Sequence, residues 1–440
     1  MDQRRDFAGH TFPHALSKPR VGILYQYFYP DDVASARHFA DLAEGLRDRG
    51  CDVQVWASNR ACRDESVCYR SNELWRGIRI HRIWKPRFKS GSSIGRAVSI
   101  AWMIAAWTVT LWRRHNRPDV VIVGTDPPLS FLTALTVRLV WPAARFAHWC
   151  FDVYPEAAVA DGMLSPNSPI ERFLKKLVRR AYGNIAFIAD VGDCMRKRLE
   201  AYGHGASSET LVPWALVEPE NPGTADPAIR SKLFGDAALG LLYSGNFGRA
   251  HSHEAFFELA RSLKSDNIAF AFGIRGNRTS LVRQSLRPDD ANIRIIDFAS
   301  EAELEARLSA ADIHLVSLRP EWNGLVVPSK FFGSLAAGRP VIFAGPGDSD
   351  IAGWIREHQV GWVLSGDSSE TIAEELRALA ASKDRLKAMQ IRCHHIYQKH
   401  FAKKVVLDRW DEALRSLIRP HAAFSGSTER AAAPPQRVPS

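Results

Sequence analysis

The sequence predicts an α/β protein made of two Rossmann-like domains that face each other across a cleft. Three observations lead there. At 440 residues the chain exceeds one ordinary core and suits two domains of about 200 residues each. Short apolar runs alternate with segments of helical period. That alternation stops at residues 213–222, a segment containing Pro and Glu, and then restarts. Hydrophobic residues at 46% and charged residues at 24% give the balance of a globular chain and exclude disordered or collagen-like classes.

Residues 1–20 are polar and without period, and read as a disordered leader. The first unit, 21–215, opens with the apolar run Val21-Gly22-Ile23-Leu24-Tyr25 and a loop at Tyr29-Pro30-Asp31-Asp32. An amphipathic helix follows, with Ala36, Phe39, Ala40, Ala43 and Leu46 at helical spacing and Gly50 as its C-terminal cap. Strands are expected at 52–56, 120–123 and 145–149, with helices between them, hence a parallel sheet. The second unit, 216–421, has a strand at 240–243 running into Ser244-Gly245-Asn246-Phe247-Gly248-Arg249, then strands at 268–272, 293–296, 313–317 and 340–343. Late helices at 369–382 and 402–418 complete it, the last expected to cross back and brace the first unit. Residues 422–440, rich in Ala, Pro and Ser, read as a disordered tail.

Net charge is +10, from 58 Lys and Arg against 48 Asp and Glu, which favours an acidic partner. Between Leu74 and Pro118 there is no Asp or Glu, while Arg76, Arg79, Arg82, Lys85, Arg87, Lys89, Arg96, Arg113, Arg114 and Arg117 are interleaved with Trp75, Trp84, Phe88, Trp102, Trp107 and Trp112. Basic residues beside Trp suit a face held at the headgroups of an anionic bilayer. The uncharged run 97–112 is shorter than the roughly 20 residues that span a bilayer and reads as buried, re-entrant or interfacial. Nucleic acid is not favoured, since no recognition element accompanies the charge. The six cysteines show no Cys-x-x-Cys spacing and no signal peptide precedes them, which suits reduced cytosolic thiols.

Two segments could bind an anion. In 244–249 the glycines let backbone N–H groups approach a phosphate, with Arg249 as a fixed charge; a tight strand-to-helix turn is the alternative reading. Pro328-Ser329-Lys330 reads as a helix start with Ser329 as cap, and Lys330 there opposes the helix dipole unless an anion sits nearby.

Together with Tyr29-Pro30, Arg37-His38, Thr125-Asp126-Pro127-Pro128, Asp152-Val153-Tyr154-Pro155-Glu156-Ala157-Ala158, Tyr243 to His251, and Gly324 to Lys330 with Ala336 to Pro340, these segments make the chain resemble the GT-B glycosyltransferases of family 4. Within them it is similar to the colanic-acid, O-antigen and capsule branch that includes fucosaminyltransferases. The resemblance implies a retaining, metal-independent transferase with no cofactor. Its donor is a nucleotide sugar, UDP- in preference to GDP-linked, with N-acetylated amino sugars among the candidates, and its acceptor a polyprenyl-diphosphate-linked sugar. Such an enzyme would sit on the cytoplasmic face of the inner membrane and serve capsule, O-antigen or exopolysaccharide synthesis.

The resemblance also implies that Ser244, Gly245, Asn246, Arg249, Arg275, Pro328, Ser329 and Lys330 bind the donor, with Phe298 and Leu304 near the base. Arg37, His38 and Asp126 would lie on the acceptor side. Two departures stand out: Gly333 where many members have the second Glu of a pair, and Phe151 where many have His before the Asp. Asp152 then becomes the candidate polar group at the reacting centre, with Glu156 sharing the role and Glu321 replacing the lost sugar contact. The same departures motivate the alternative of a degenerate sugar-binding or scaffold protein of the same pathway. A dinucleotide oxidoreductase is disfavoured, because Gly345-Pro346-Gly347 is followed by Asp350 in place of the third glycine. Asp348-Ser349-Asp350 has the form of a metal-binding D-x-D, but reads better as a solvated loop with a capping Asp.

Overall fold

A computed structural model of the chain describes residues 18–87, 93–113 and 117–418. The leader up to residue 17, the tail 422–440, and Phe88, Lys89 and Arg114 lie outside the described residues.

The first unit alternates β1 (Arg20–Leu24), α1 (Ala34–Asp48), β2 (Asp52–Ser58), β3 (Asn72–Trp75), β4 (Ile78–Ile83), α2 (Ser93–Trp112), β5 (Val120–Val123) and α3 (Thr133–Arg138). It continues with β6 (Phe146–Trp149), α4 (Glu156–Ala160), α5 (Pro169–Tyr182), β7 (Phe187–Asp190), α6 (Asp193–Glu200) and β8 (Ser207–Thr210). Its sheet runs β3-β4-β2-β1-β5-β6-β7-β8, parallel except at β3. Helices cover both faces, so β5, β6 and β7 are buried along their whole length, and β5 reads as an unbroken apolar run. Gly50, at φ +91°, closes α1 as expected: its N–H and that of Cys51 reach the carbonyls of Arg47 and Leu46.

The second unit comprises α7 (Pro227–Phe234), β9 (Leu239–Asn246), α8 (Glu254–Ser262), β10 (Ile268–Arg275), α9 (Thr279–Gln284), β11 (Ile293–Ile296), α10 (Glu301–Ala310) and β12 (Ile313–Ser317). After α11 (Lys330–Ala336), β13 (Val341–Ala344), α12 (Asp350–His358) and β14 (Gly361–Leu364) come α13 (Ser369–Ala381), α14 (Lys383–His400) and α15 (Lys403–Ile418). The sheet order is β11-β10-β9-β12-β13-β14, all parallel. The last helix returns to the first unit. Leu407 fills the space that Gly45 leaves open on α1, and Trp410 packs edge-on against Trp149 at 5.4 Å.

Residues 74–83, the start of the stretch read as basic and membrane-facing, belong to a hairpin whose turn places Arg76 and Gly77 at positive φ. Its charges are met inside the protein. Arg76 pairs with Glu44 at 2.7 Å, Arg79 with Asp52 at 2.8 Å, Arg82 with Glu73 at 3.0 Å, and Lys85 with Glu65 at 2.6 Å. In the D-x-D loop Asp348 is exposed, as read, but the cap is not an Asp. Ser349 caps α12 by accepting from the Ala352 N–H, and the Asp350 carboxylate accepts the N–H of Cys194 in the other unit at 3.2 Å.

Candidate active site

Two sheet edges face each other. In the second unit the chain reverses direction between β9 and β12, the kind of switch point where open α/β sheets bind ligands at the carboxyl ends of their strands. In the first unit the reversal falls between β1 and β5. Each switch point adjoins a cluster of polar side chains.

On the second unit, β9 runs three residues past its predicted end, so Ser244, Gly245 and Asn246 are its last residues. Gly245 has φ +141°, and a β-carbon there would lie 2.5 Å from Cε of Lys330. Lys330 begins α11 and stands over the Tyr243 ring, 5.4 Å from its centroid. Its Nζ lies 3.1 Å from Nε2 of His251, whose Nδ1 is 2.7 Å from the Ser317 carbonyl at the end of β12. A carbonyl only accepts, so Nδ1 carries the proton and Nε2 receives one from the ammonium. Burial holds His251 neutral, with its pKa down to about 3, and brings Lys330 down to about 8. His251 was quoted in sequence only as the end of a motif; its contact with a group 79 residues away was not legible there. Pro328 is buried before the helix. Ser329 stands at the N-cap position, but contrary to expectation its side chain makes no capping bond.

Arg249 points across to the first unit, donating to the Asp161 carbonyl and lying 3.3 Å from its carboxylate. It lines a cavity of about 420 Å³ with Arg278, Arg319 and Glu321, the last paired with Arg319 at 2.8 Å. Arg275 ends β10 and stacks on Phe298 at 4.0 Å, while Leu304 lies on α10.

A cavity of about 400 Å³ at the first switch point is lined by Tyr25, His38, Asp126, Phe151 and Asp152, and by Val326, Val327 and Ser329 from the second unit. The segment before Lys330 therefore closes this cavity while Lys330 itself reaches Gly245. Burial raises Asp126 to about 7, helped by the charge of Asp152 and opposed by Lys85; burial alone raises Asp152 to about 6. His38, pushed down to about 4 by burial, is bonded through Nε2 to the Trp214 carbonyl at 2.8 Å.

Glu156 and Arg37, expected at the reacting centre and on the acceptor side, line neither cavity. Glu156 turns from Asp152 to accept from the Tyr202 hydroxyl at 2.5 Å, with Lys175 at 3.8 Å, because α4 aims it at α5 and the turn after α6. Arg37 donates to the Leu216 carbonyl at 3.2 Å and so ties α1 to the connecting segment. Gly333 backs onto open space, so no neighbour occupies the place of the missing Glu. Arg339, part of the family-like run, is structural: its guanidinium serves the carbonyls of Ala311, Ala337, Gly338, Gly223 and Ser309. A larger groove, about 680 Å³, lies beyond β14, but its Arg356, Arg385 and Arg392 are bonded to Gly347, Glu375 and Gln359.

Two parallel-sheet units with facing switch points, one basic and one acidic, have the architecture of the GT-B fold. Comparison with known proteins agrees. Residues 34–214 match the family described as glycosyl transferase 4-like domain. The chain is homologous to the probable glycosyltransferase WbjE of Pseudomonas aeruginosa, 24% identical over 343 residues, covering 76% of this chain and 83% of that protein. Among solved structures, WaaG, a glycosyltransferase involved in lipopolysaccharide biosynthesis, superimposes with a TM-score of 0.60 at 15% identity, over 90% of this chain and 99% of that one. Anabaena HepE in complex with UDP and glucose gives 0.60 at 13% identity, over 90% and 100%.

Proposed function

We propose that the protein transfers a sugar, with retention and without a metal, from a nucleoside diphosphate donor to a polyprenyl-diphosphate-linked sugar, in the synthesis of a bacterial surface polysaccharide at the cytoplasmic face of the inner membrane. The donor in this reading is UDP-linked in preference to GDP-linked, a hexose or N-acetylhexosamine. The observation that carries it is the Lys330 ammonium held against Gly245 by neutral His251 at the end of β9. A diphosphate leaving from there gains negative charge as the bond to the sugar C1 breaks. Lys330, with Arg249 released from Asp161, would neutralise it. The acceptor oxygen forms the new bond to C1, and its proton passes to the departing phosphate. Asp152 orients the acceptor sugar by accepting a hydrogen bond from a neighbouring hydroxyl of that sugar. Two carboxyls suit the hydroxyls of an acceptor sugar better than its diphosphate, which like charges would repel. Support also comes from the relatives: WaaG is involved in lipopolysaccharide biosynthesis, and HepE shares the fold in complex with UDP and glucose.

The test is a panel of UDP- and GDP-sugars offered with a lipid-diphosphate acceptor and EDTA, following nucleoside diphosphate release. Release that needs acceptor and is lost in Lys330→Ala supports the reading. Silence across the panel with no nucleotide binding by calorimetry overturns it in favour of a degenerate scaffold.

A further inference from the structure

One helix among the described residues, Ile94–Trp112 within α2, is long and apolar enough to cross a membrane. It cannot do so while the first unit is folded, because one of its faces belongs to the core. Met103, Trp107 and Leu111 are fully buried, the Trp107 indole donates to the Trp56 carbonyl at 3.2 Å, and Thr108 bonds Thr136 on α3 at 2.6 Å. The opposite face carries Ile94, Val98, Trp102, Val109 and Trp112 at helical spacing, all exposed, with Ile94 at 79%. A helix apolar on both faces, with only one of them packed, leaves a surface that water does not favour.

The exposed face continues sideways. α2 and α5 both pack against α3. Just past α3, Leu139 is 77% exposed, and at the start of α5 Ile170 and Phe173 are 63% and 59% exposed. Trp102 donates its indole N–H to the Trp84 carbonyl at 2.9 Å, and Trp112 donates to that of Thr136 at 3.1 Å. The rings can therefore enter an apolar medium with their polar atoms satisfied. The segments that carry this face hold no Asp or Glu between Pro86 and Pro118 or between Asp126 and Asp152. On α5 the single acid, Glu171, is buried and paired with Lys175, whereas Arg172, Lys176, Arg179 and Arg180 are exposed.

We propose that an anionic lipid bilayer covers this face, with α2 lying in the plane of the interface, its outer stripe among the acyl chains and the α5 cations at the headgroups. The proposal deepens the transferase reading and rests on it for its purpose, but not for its physics. A second copy of the chain would bring two basic rims together, whereas an anionic surface complements them.

The experiment is flotation of the full chain with phosphatidylcholine vesicles, with and without phosphatidylglycerol. Binding is expected only with the anionic lipid, falling with salt, with Trp fluorescence quenched by lipids brominated in the acyl chain. Val98→Asp with Val109→Asp, and separately Lys176→Glu with Arg180→Glu, should each weaken binding by about tenfold or more with the thermal transition unchanged. Nucleoside diphosphate release with a short-chain, water-soluble acceptor should be unaffected in both. Equal binding by the variants, no binding by the wild type, resistance of the bound protein to alkaline extraction, or a solution dimer that the Val98 and Val109 changes dissociate would each overturn the proposal. Loss of release in every form, with vesicle binding still sensitive to these residues, would sink the transferase reading and leave the docking surface standing.

Discussion

Gly245 and Lys330 occupy one another's space: a β-carbon on the glycine would stand 2.5 Å from Cε of the lysine, at a φ of +141° that other residues rarely adopt. Gly245→Ala must move either the strand end or the ammonium. It is expected to raise the donor KM by about tenfold or more, against a stability loss of only about 1–3 kcal/mol. Steady-state kinetics beside a denaturant titration separates the two effects; an unchanged KM would break the link between this contact and the donor.

Lys330 is held down to about 8 by burial, so a bound diphosphate should pull its pKa back up. Near pH 8 and above, nucleoside diphosphate binding should therefore take up protons, seen as a dependence of calorimetric enthalpy on buffer ionisation. Lys330→Met should abolish that uptake and cost about 10²-fold or more in kcat. Equal uptake by the variant would place the titrating group elsewhere.

The Asp126 and Asp152 pair titrates between about 6 and about 7, above the ordinary 3.8 of each. A raised carboxyl pKa means that the folded state keeps a proton the unfolded state has lost. The pair therefore costs stability progressively from about pH 4 to about pH 7, and the cost is constant above that. Asp126→Asn is expected to unfold at a higher temperature than wild type at pH 8 and at the same temperature at pH 3. If ionised Asp152 holds a hydroxyl of the acceptor sugar, kcat/KM should rise with pH through about 6, and Asp152→Asn should flatten that limb while lowering the plateau.

At the other side of the cleft, a β-carbon on Gly192 would fall 2.4 Å from the Asp350 carboxylate, which bonds Cys194 across the gap between the units. Gly192→Ala should loosen that contact. The expected result is a larger radius of gyration by small-angle scattering and a lower kcat, with little change in circular dichroism. An unchanged radius would show that the contact does not set the spacing of the units.

The sheets were legible because parallel strands covered on both faces, such as β5 and β13, are uninterrupted apolar runs. The donor side was legible in part, because Gly245 and Lys330 depart from what a plain strand end and helix start would use. The hairpin of β3 and β4 was not. Its arginines look unbalanced in their own neighbourhood, and partners such as Glu44, Asp52 and Glu65 lie on other segments. Glu156 was misassigned for the same reason, since Tyr202 lies 46 residues away. Sequence patterns report burial well and long-range polar pairing poorly.

The chain passes between the units twice, and the two passages are bonded together. The connecting segment after β8 leads out, and the junction of α14 with α15 leads back. The Tyr397 hydroxyl meets both the Ala215 N–H and the Glu218 carboxylate, and Glu218 also receives the Lys403 N–H at 2.7 Å. A single tether would allow swivelling in any direction. Two adjacent tethers define a line, like the pin of a door, about which one half can swing but not twist. Any opening about that line would return the lysine on one side and the paired acids on the other to the same register.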